Sequence, residues 1–184
     1  MSDAFIELDG DELFALVASA AVVAGLGGRW VRFLAQGDRF ARNRPQRLLL
    51  GLWPVACLAL AWGVLACWAD PEVRDTGIYL LLFLIAGAAL LFASLHLFPL
   101  VGLSPYDDVV QAPNPAATIA VCGALLGVTL CYAGANSGSG PTIWTTLIPA
   151  VLAIGLYFLC WLGFELASRC SSAASGIRRS APAR

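Results

Sequence analysis

The sequence predicts an all-α, polytopic membrane bundle of about five transmembrane helices, or four if the first does not span. Three observations carry that expectation. Hydrophobic residues make up 59% of the chain against 12% charged, and the mean hydropathy of +0.78 lies outside the range of soluble domains. Apolar runs able to cross a hydrocarbon core of roughly 30 Å recur along the chain. The arginines, eleven with no lysine beside them, fall in a few segments and not evenly. A net charge of −1 argues against a nucleic-acid partner. Length and pattern fit one bundle, 13–167, between an acidic start (1–12) and a basic tail (168–184).

The opening segment carries Asp3, Glu7, Asp9, Asp11 and Glu12 and lacks the basic region of a cleaved signal peptide, so it is expected to be retained. The first span, 13–28, is slightly short. Its Ala20, Ala24 and Gly28 lie four apart and suit burial against a neighbour; a re-entrant or interfacial segment is the alternative. Between 29 and 47 stand Arg29, Arg32, Arg39, Arg42, Arg44 and Arg47 against the single acid Asp38, which predicts a cytoplasmic loop. Trp30, Phe33, Leu34 and Phe40 are interleaved with them, so part of this loop would lie along the inner membrane surface. Anionic lipid is then a candidate partner, at about 1 kcal/mol per arginine; a plain topology determinant is the simpler reading.

The second span, 48–68, holds Pro54, where a bend is expected, and another small-residue row of Ala59, Gly63 and Cys67. Asp70, Glu72 and Asp75 make 69–77 an acidic external loop. The third span, 78–102, includes His96 and Pro99, and the fifth, 143–167, includes Pro149, Tyr157, Gly163 and Glu165. The serine- and alanine-rich tail reads as disordered and carries Arg169, Arg178, Arg179 and Arg184. With the amino terminus outside and the carboxyl terminus cytoplasmic, every arginine except Arg74 falls inside.

The fourth span, 116–135, states its own limits. Asn114 can accept from the free amides of the first turn, Pro115 needs no N–H there, and Gly134, Asn136 and the run 138–141 supply a stop. Within it Gly123, Gly127, Cys131 and Ala135 recur every fourth residue. Such a stripe lets a second helix approach closely, so these four are the expected helix-packing residues.

Residues that bear chemistry are few. Cys57, Cys67, Cys122, Cys131 and Cys160 lie in apolar runs and Cys170 in the tail, with no CxxC pair and no cluster at ligand spacing, so no metal and no cofactor is expected. They read as small packing residues. His96 is an ionisable group in a membrane helix and hence a functional candidate. It stands about eighteen residues, roughly 27 Å, beyond the outer end of its helix, near the inner headgroups and not the midplane. Glu165 is similarly deep, and Asp107 and Asp108 precede the fourth span on the same side. His96, Asp107, Asp108 and Glu165 thus form a candidate polar rim. Charge is missing from the membrane's middle, which disfavours a self-contained transport site. No Ser-His-Asp set or phosphate loop suggests an enzyme.

The order of an apolar span, a PYDD linker and NPAATIAVCGALLGVTLCYAGA resembles the repeat unit of the YjfL-type small bacterial inner-membrane proteins, a domain family of unknown function. The positions that carry the likeness are Asp107, Asp108, Asn114, Ala116, Ala117, Gly123, Leu125, Leu126 and Gly127, within about 78–136. The resemblance implies a bacterial inner-membrane location and self-association but supplies no reaction. The expectation is therefore a non-enzymatic envelope subunit that binds itself or an envelope protein partner. The alternative is a subunit of an oligomeric channel or transporter with the acidic rim at its inner mouth.

Overall fold

Five helices in a computed structural model are long and apolar enough to cross a membrane: Gly10–Ala35, Pro45–Trp68, Gly77–Val101, Pro115–Ala135 and Ile143–Ser168. The chain is a multi-pass membrane protein. The structure describes residues 9–36, 44–105, 114–137 and 143–179, with side chains to 168. Among the described residues there is no strand.

The first crossing is one continuous helix in three parts: α1 (Gly10–Val22), a π-helical segment Val23–Gly27, and α2 (Gly28–Gln36). Its start is capped by the Asp9 backbone N–H donating to the Glu12 carboxylate at 3.1 Å. A π turn inserts an extra residue and so changes which face meets the bundle. Ala15 is buried from α1, whereas Trp30 and not an alanine enters the core from α2.

The remaining elements are α3 (Arg44–Trp68), the short α4 (Pro71–Asp75), α5 (Gly77–Leu97) closed by a 3-10 turn Phe98–Val101, α6 (Pro115–Ala135) and α7 (Ile143–Arg179). The centre of the bundle is the α5/α6 pair. Half of each of their spans is buried, against 11% for α7 and 17% for the first crossing, so those two helices are peripheral. α6 packs on α3, α5 and α7, and α5 also packs on α1. One core cluster, with Leu50, Leu91, Leu95, Phe98, Val121 and Leu125, fills one half of the bundle. A second, with Ala15, Leu65, Leu82, Phe83 and Ile143, fills the other. In lipid these contacts stabilise through close packing and dispersion more than through removal of water.

Two boundaries differ from the sequence expectation. The segment 29–47 is helical at both of its described ends: Arg29 and Arg32 belong to α2, while Arg44 and Arg47 lie in the first turn of α3. Arginines need not end a membrane helix, because their long stems stay on apolar surface while the guanidinium reaches out. Trp30 accordingly lies in the core and not along a surface loop. The chain from 168 is also helical to Arg179, where a disordered tail was expected, because α7 continues without a break through a segment free of proline. Arg39, Arg42, Asp107 and Asp108 lie outside the described residues.

Candidate functional site

Among the described residues, the helix directions put the acids other than Glu165 at one end and the arginines other than Arg74 at the other. At one end the Trp144 indole N–H donates to Asp11 Oδ2 at 3.0 Å and the Tyr79 hydroxyl to Glu12 Oε2 at 3.3 Å, tying the starts of α7 and α5 to the start of α1. Asp70 caps α4 there by accepting from the Glu72 backbone N–H at 2.9 Å. Arg74 and Asp75 form an exposed ion pair at 3.3 Å. Tyrosine and tryptophan at this level suit a membrane interface, where one part of the ring system is apolar and the other wet.

The opposite end gathers the candidate residues that are described. Arg47 donates to the Leu34 carbonyl and fastens the start of α3 to the end of α2. His96, in the last turn of α5, lies 2.9 Å through Nδ1 from the Phe92 carbonyl. A carbonyl can only accept, so Nδ1 carries the proton. Gly102 follows the 3-10 turn at φ +78°, a left-handed conformation that favours glycine. A Cβ there would stand 3.2 Å from Glu165 Oε1, so the half-buried Glu165 of α7 sits against this turn. The structure thus brings Arg29, Arg47, His96 and Glu165 to one end of the bundle. Two grooves open there. One of about 350 Å³ is lined by Leu34, Arg47, Leu48, Gly51 and Leu52; the other, of about 300 Å³, lies between α2 and the end of α5.

The small-residue stripe of α6 divides. Gly127 does meet another helix: a Cβ there would stand 2.7 Å from Cζ and Oη of Tyr157 in α7. Cys131 and Ala135 are half-buried, while Gly123 is exposed with open space around it. The face that α6 buries deepest is a different one, built from Val121, Leu125, Val128 and Tyr132. Of the cysteines, Cys57 and Cys122 are buried as packing residues should be, but Cys67 and Cys160 are exposed.

Between the ends the interior is uncharged but not wholly apolar. Trp53 Nε1 donates to the Cys122 carbonyl at 2.7 Å, and Asn136 Nδ2 to the Tyr132 carbonyl at 2.7 Å. The Tyr132 hydroxyl donates to the Phe83 carbonyl, and Thr129 Oγ1 to that of Leu125 at 2.9 Å. Tyr132 fits beside α5 because residue 87 there is glycine. None of this was visible as a motif: the spacing of Gly87 and Tyr132 in sequence carries no sign that they meet. Next to them remains a cavity of about 10 Å³ lined in part by Cys57, Thr129 and Tyr132, the size of a single water and no larger. Among the described residues no three His, Cys, Asp or Glu side chains group closely enough to hold a metal.

A family model described as "Domain of Unknown Function (DUF350)" matches residues 72–179, more than half of the chain. The chain belongs to that family. The DUF350 match takes in α5, α6 and α7 together with most of α4, so it holds the central pair and one of its peripheral partners. The DUF350 region also includes His96, Gly123, Gly127 and Glu165, whereas Arg29, Arg32 and Arg47 precede it. No curated protein and no solved structure matches the chain.

Proposed function

We propose that this DUF350 protein is a non-enzymatic subunit of the bacterial inner membrane, of the YjfL type, that associates with copies of itself or with an envelope partner. In this reading the acidic end faces outward and the basic end inward, where arginines meet anionic lipid. The observation that carries it is the split stripe of α6. Tyr157 fills the row at Gly127 within one chain, and Gly123 remains exposed, a backbone-level notch on a helix whose neighbour there is lipid or a second protein. The placement of Arg29, Arg32, Arg47, His96 and Glu165 at one end, with an uncharged interior, supports assembly over transport through a single chain.

The test is native mass measurement of the detergent-released protein beside its Gly123→Leu variant. A defined oligomer that the variant loses, at unchanged helical content, is the expected result. A monomer in both cases, or an oligomer indifferent to Gly123→Leu, refutes self-association through this face. Ion flux in liposomes that Asp107→Asn and Asp108→Asn abolish would favour the channel reading instead.

A further inference from the structure

The groove between α2 and the end of α5 is lined by Arg29, Trp30 and Phe33 on one side and by Leu95, His96, Pro99 and Ser104 on the other, and among the described residues no carboxylate lines it. Two of its donors, the Trp30 indole N–H and the Arg29 guanidinium, meet no acceptor among the described residues. Trp30 is only 8% exposed, yet its indole N–H has no acceptor among the described residues. A buried donor left so is costly unless something else accepts from it. Arg29 is exposed and has no anionic partner among the described residues. His96 has its Nδ1–H engaged by the Phe92 carbonyl, which leaves Nε2 of the neutral ring as an acceptor and not a donor, so His96 borders the groove without donating into it. Apart from Ser104 the rest of the lining is apolar, and Leu97 and Leu100 are exposed at the same level.

We propose that this groove holds the phosphate of an anionic membrane phospholipid. The Arg29 guanidinium and the Trp30 indole N–H donate to its oxygens, with His96 alongside, and the acyl chains leave over the apolar flank of α5. Guanidinium groups suit phosphate because their planar fork offers paired donors. The depth selects a lipid source: His96 stands eighteen residues past Ile78, roughly 27 Å along a helix that crosses a core of about 30 Å, which places the groove just beneath the inner headgroups. The proposal rests on the basic end being lipid-facing and narrows that to one groove.

Native mass spectrometry of the full chain, titrated with phosphatidylglycerol and with phosphatidylcholine of the same acyl chains, tests it. The expected result is one phosphatidylglycerol retained with about tenfold preference, because both lipids carry the phosphate but the choline cation of phosphatidylcholine cancels its net charge and is repelled by the Arg29 guanidinium. Arg29→Gln should lose about that tenfold, and Trp30→Phe, which keeps a ring but removes the donor, a lesser several-fold. Arg32→Gln removes the same charge from an exposed position of the same helix outside the groove and should change retention less than about twofold. Millimolar inorganic phosphate should leave the adduct in place. Equal losses in Arg29→Gln and Arg32→Gln would overturn the groove while leaving a lipid-facing basic end intact. No loss in either would overturn both. Displacement by inorganic phosphate would overturn the lipid as ligand.

Discussion

Gly87→Ala tests the centre of the bundle most sharply. A Cβ at that position would stand 2.6 Å from Cε1 of Tyr132 and 3.1 Å from Cδ1 and Cζ, where ordinary contact begins at 3.4 Å. Tyr132 has little freedom to retreat, being 3% exposed and held by its hydroxyl on the Phe83 carbonyl. Overpacking of this kind costs about 1–3 kcal/mol. The replacement itself favours helix by about 0.5–1 kcal/mol, so the net loss should be about 1–2 kcal/mol. Unfolding in mixed micelles of mild detergent and dodecyl sulfate would read it. Gly63→Ala in α3, where a Cβ meets nothing within 4 Å, is the control and should be neutral or slightly stabilising. In the double variant Gly87→Ala with Tyr132→Leu, the smaller side chain removes the clash, and the two effects should miss additivity by about 1 kcal/mol or more. A Gly87→Ala protein as stable as its parent, or a double variant that is simply additive, would refute the α5/α6 packing described above.

Other substitutions grade the remaining contacts by the same unfolding measurement. Gly127→Ala should cost less than Gly87→Ala, because the atoms in its way are the tip of the half-buried Tyr157 ring, which can swing; Gly127→Leu should exceed both. Gly102→Ala should lose about 1–2 kcal/mol, since it combines a left-handed backbone with a Cβ 3.2 Å from Glu165 Oε1. Trp53→Phe keeps the ring in the core but removes its bond to the Cys122 carbonyl and should cost about 0.5–1.5 kcal/mol. Indifference to any of these would show that the contact concerned does not hold the bundle together.

What the residues revealed unaided follows from the kind of signal each feature leaves. Hydropathy alone marks a helix that must cross lipid, so the five crossings and the class were legible. The limits of α6 were legible too, because capping chemistry is local: Asn114 Oδ1 accepts from the Ala116 N–H at 3.0 Å, with Pro115 as the first helical residue. The helix ends expected near Arg29 and Ser168 were not, since neither residue carries a breaker and a helix stops for lack of backbone partners, not for lack of apolar residues. Nor could the sequence say which face of α6 is buried. A helix that is apolar all round has no moment to read, and the choice between the Gly123 row and the Val121, Leu125 and Val128 row was made by its partners α3 and α5. Trp30 was misplaced for a related reason: the π-helical segment before it shifts the register in a way that spacing does not announce.

Side-specific labelling in a cysteine-free background reaches the account's central claim most directly, that the acidic and basic ends of the bundle lie on opposite faces of the membrane with the basic end inside. Asp75→Cys and Arg32→Cys, both at exposed positions, would each be treated in intact cells with a maleimide that cannot cross the membrane. The account predicts that Asp75→Cys reacts at once and that Arg32→Cys reacts only after the cells are permeabilised. Labelling of Arg32→Cys in intact cells, or equal labelling of the two, would contradict it.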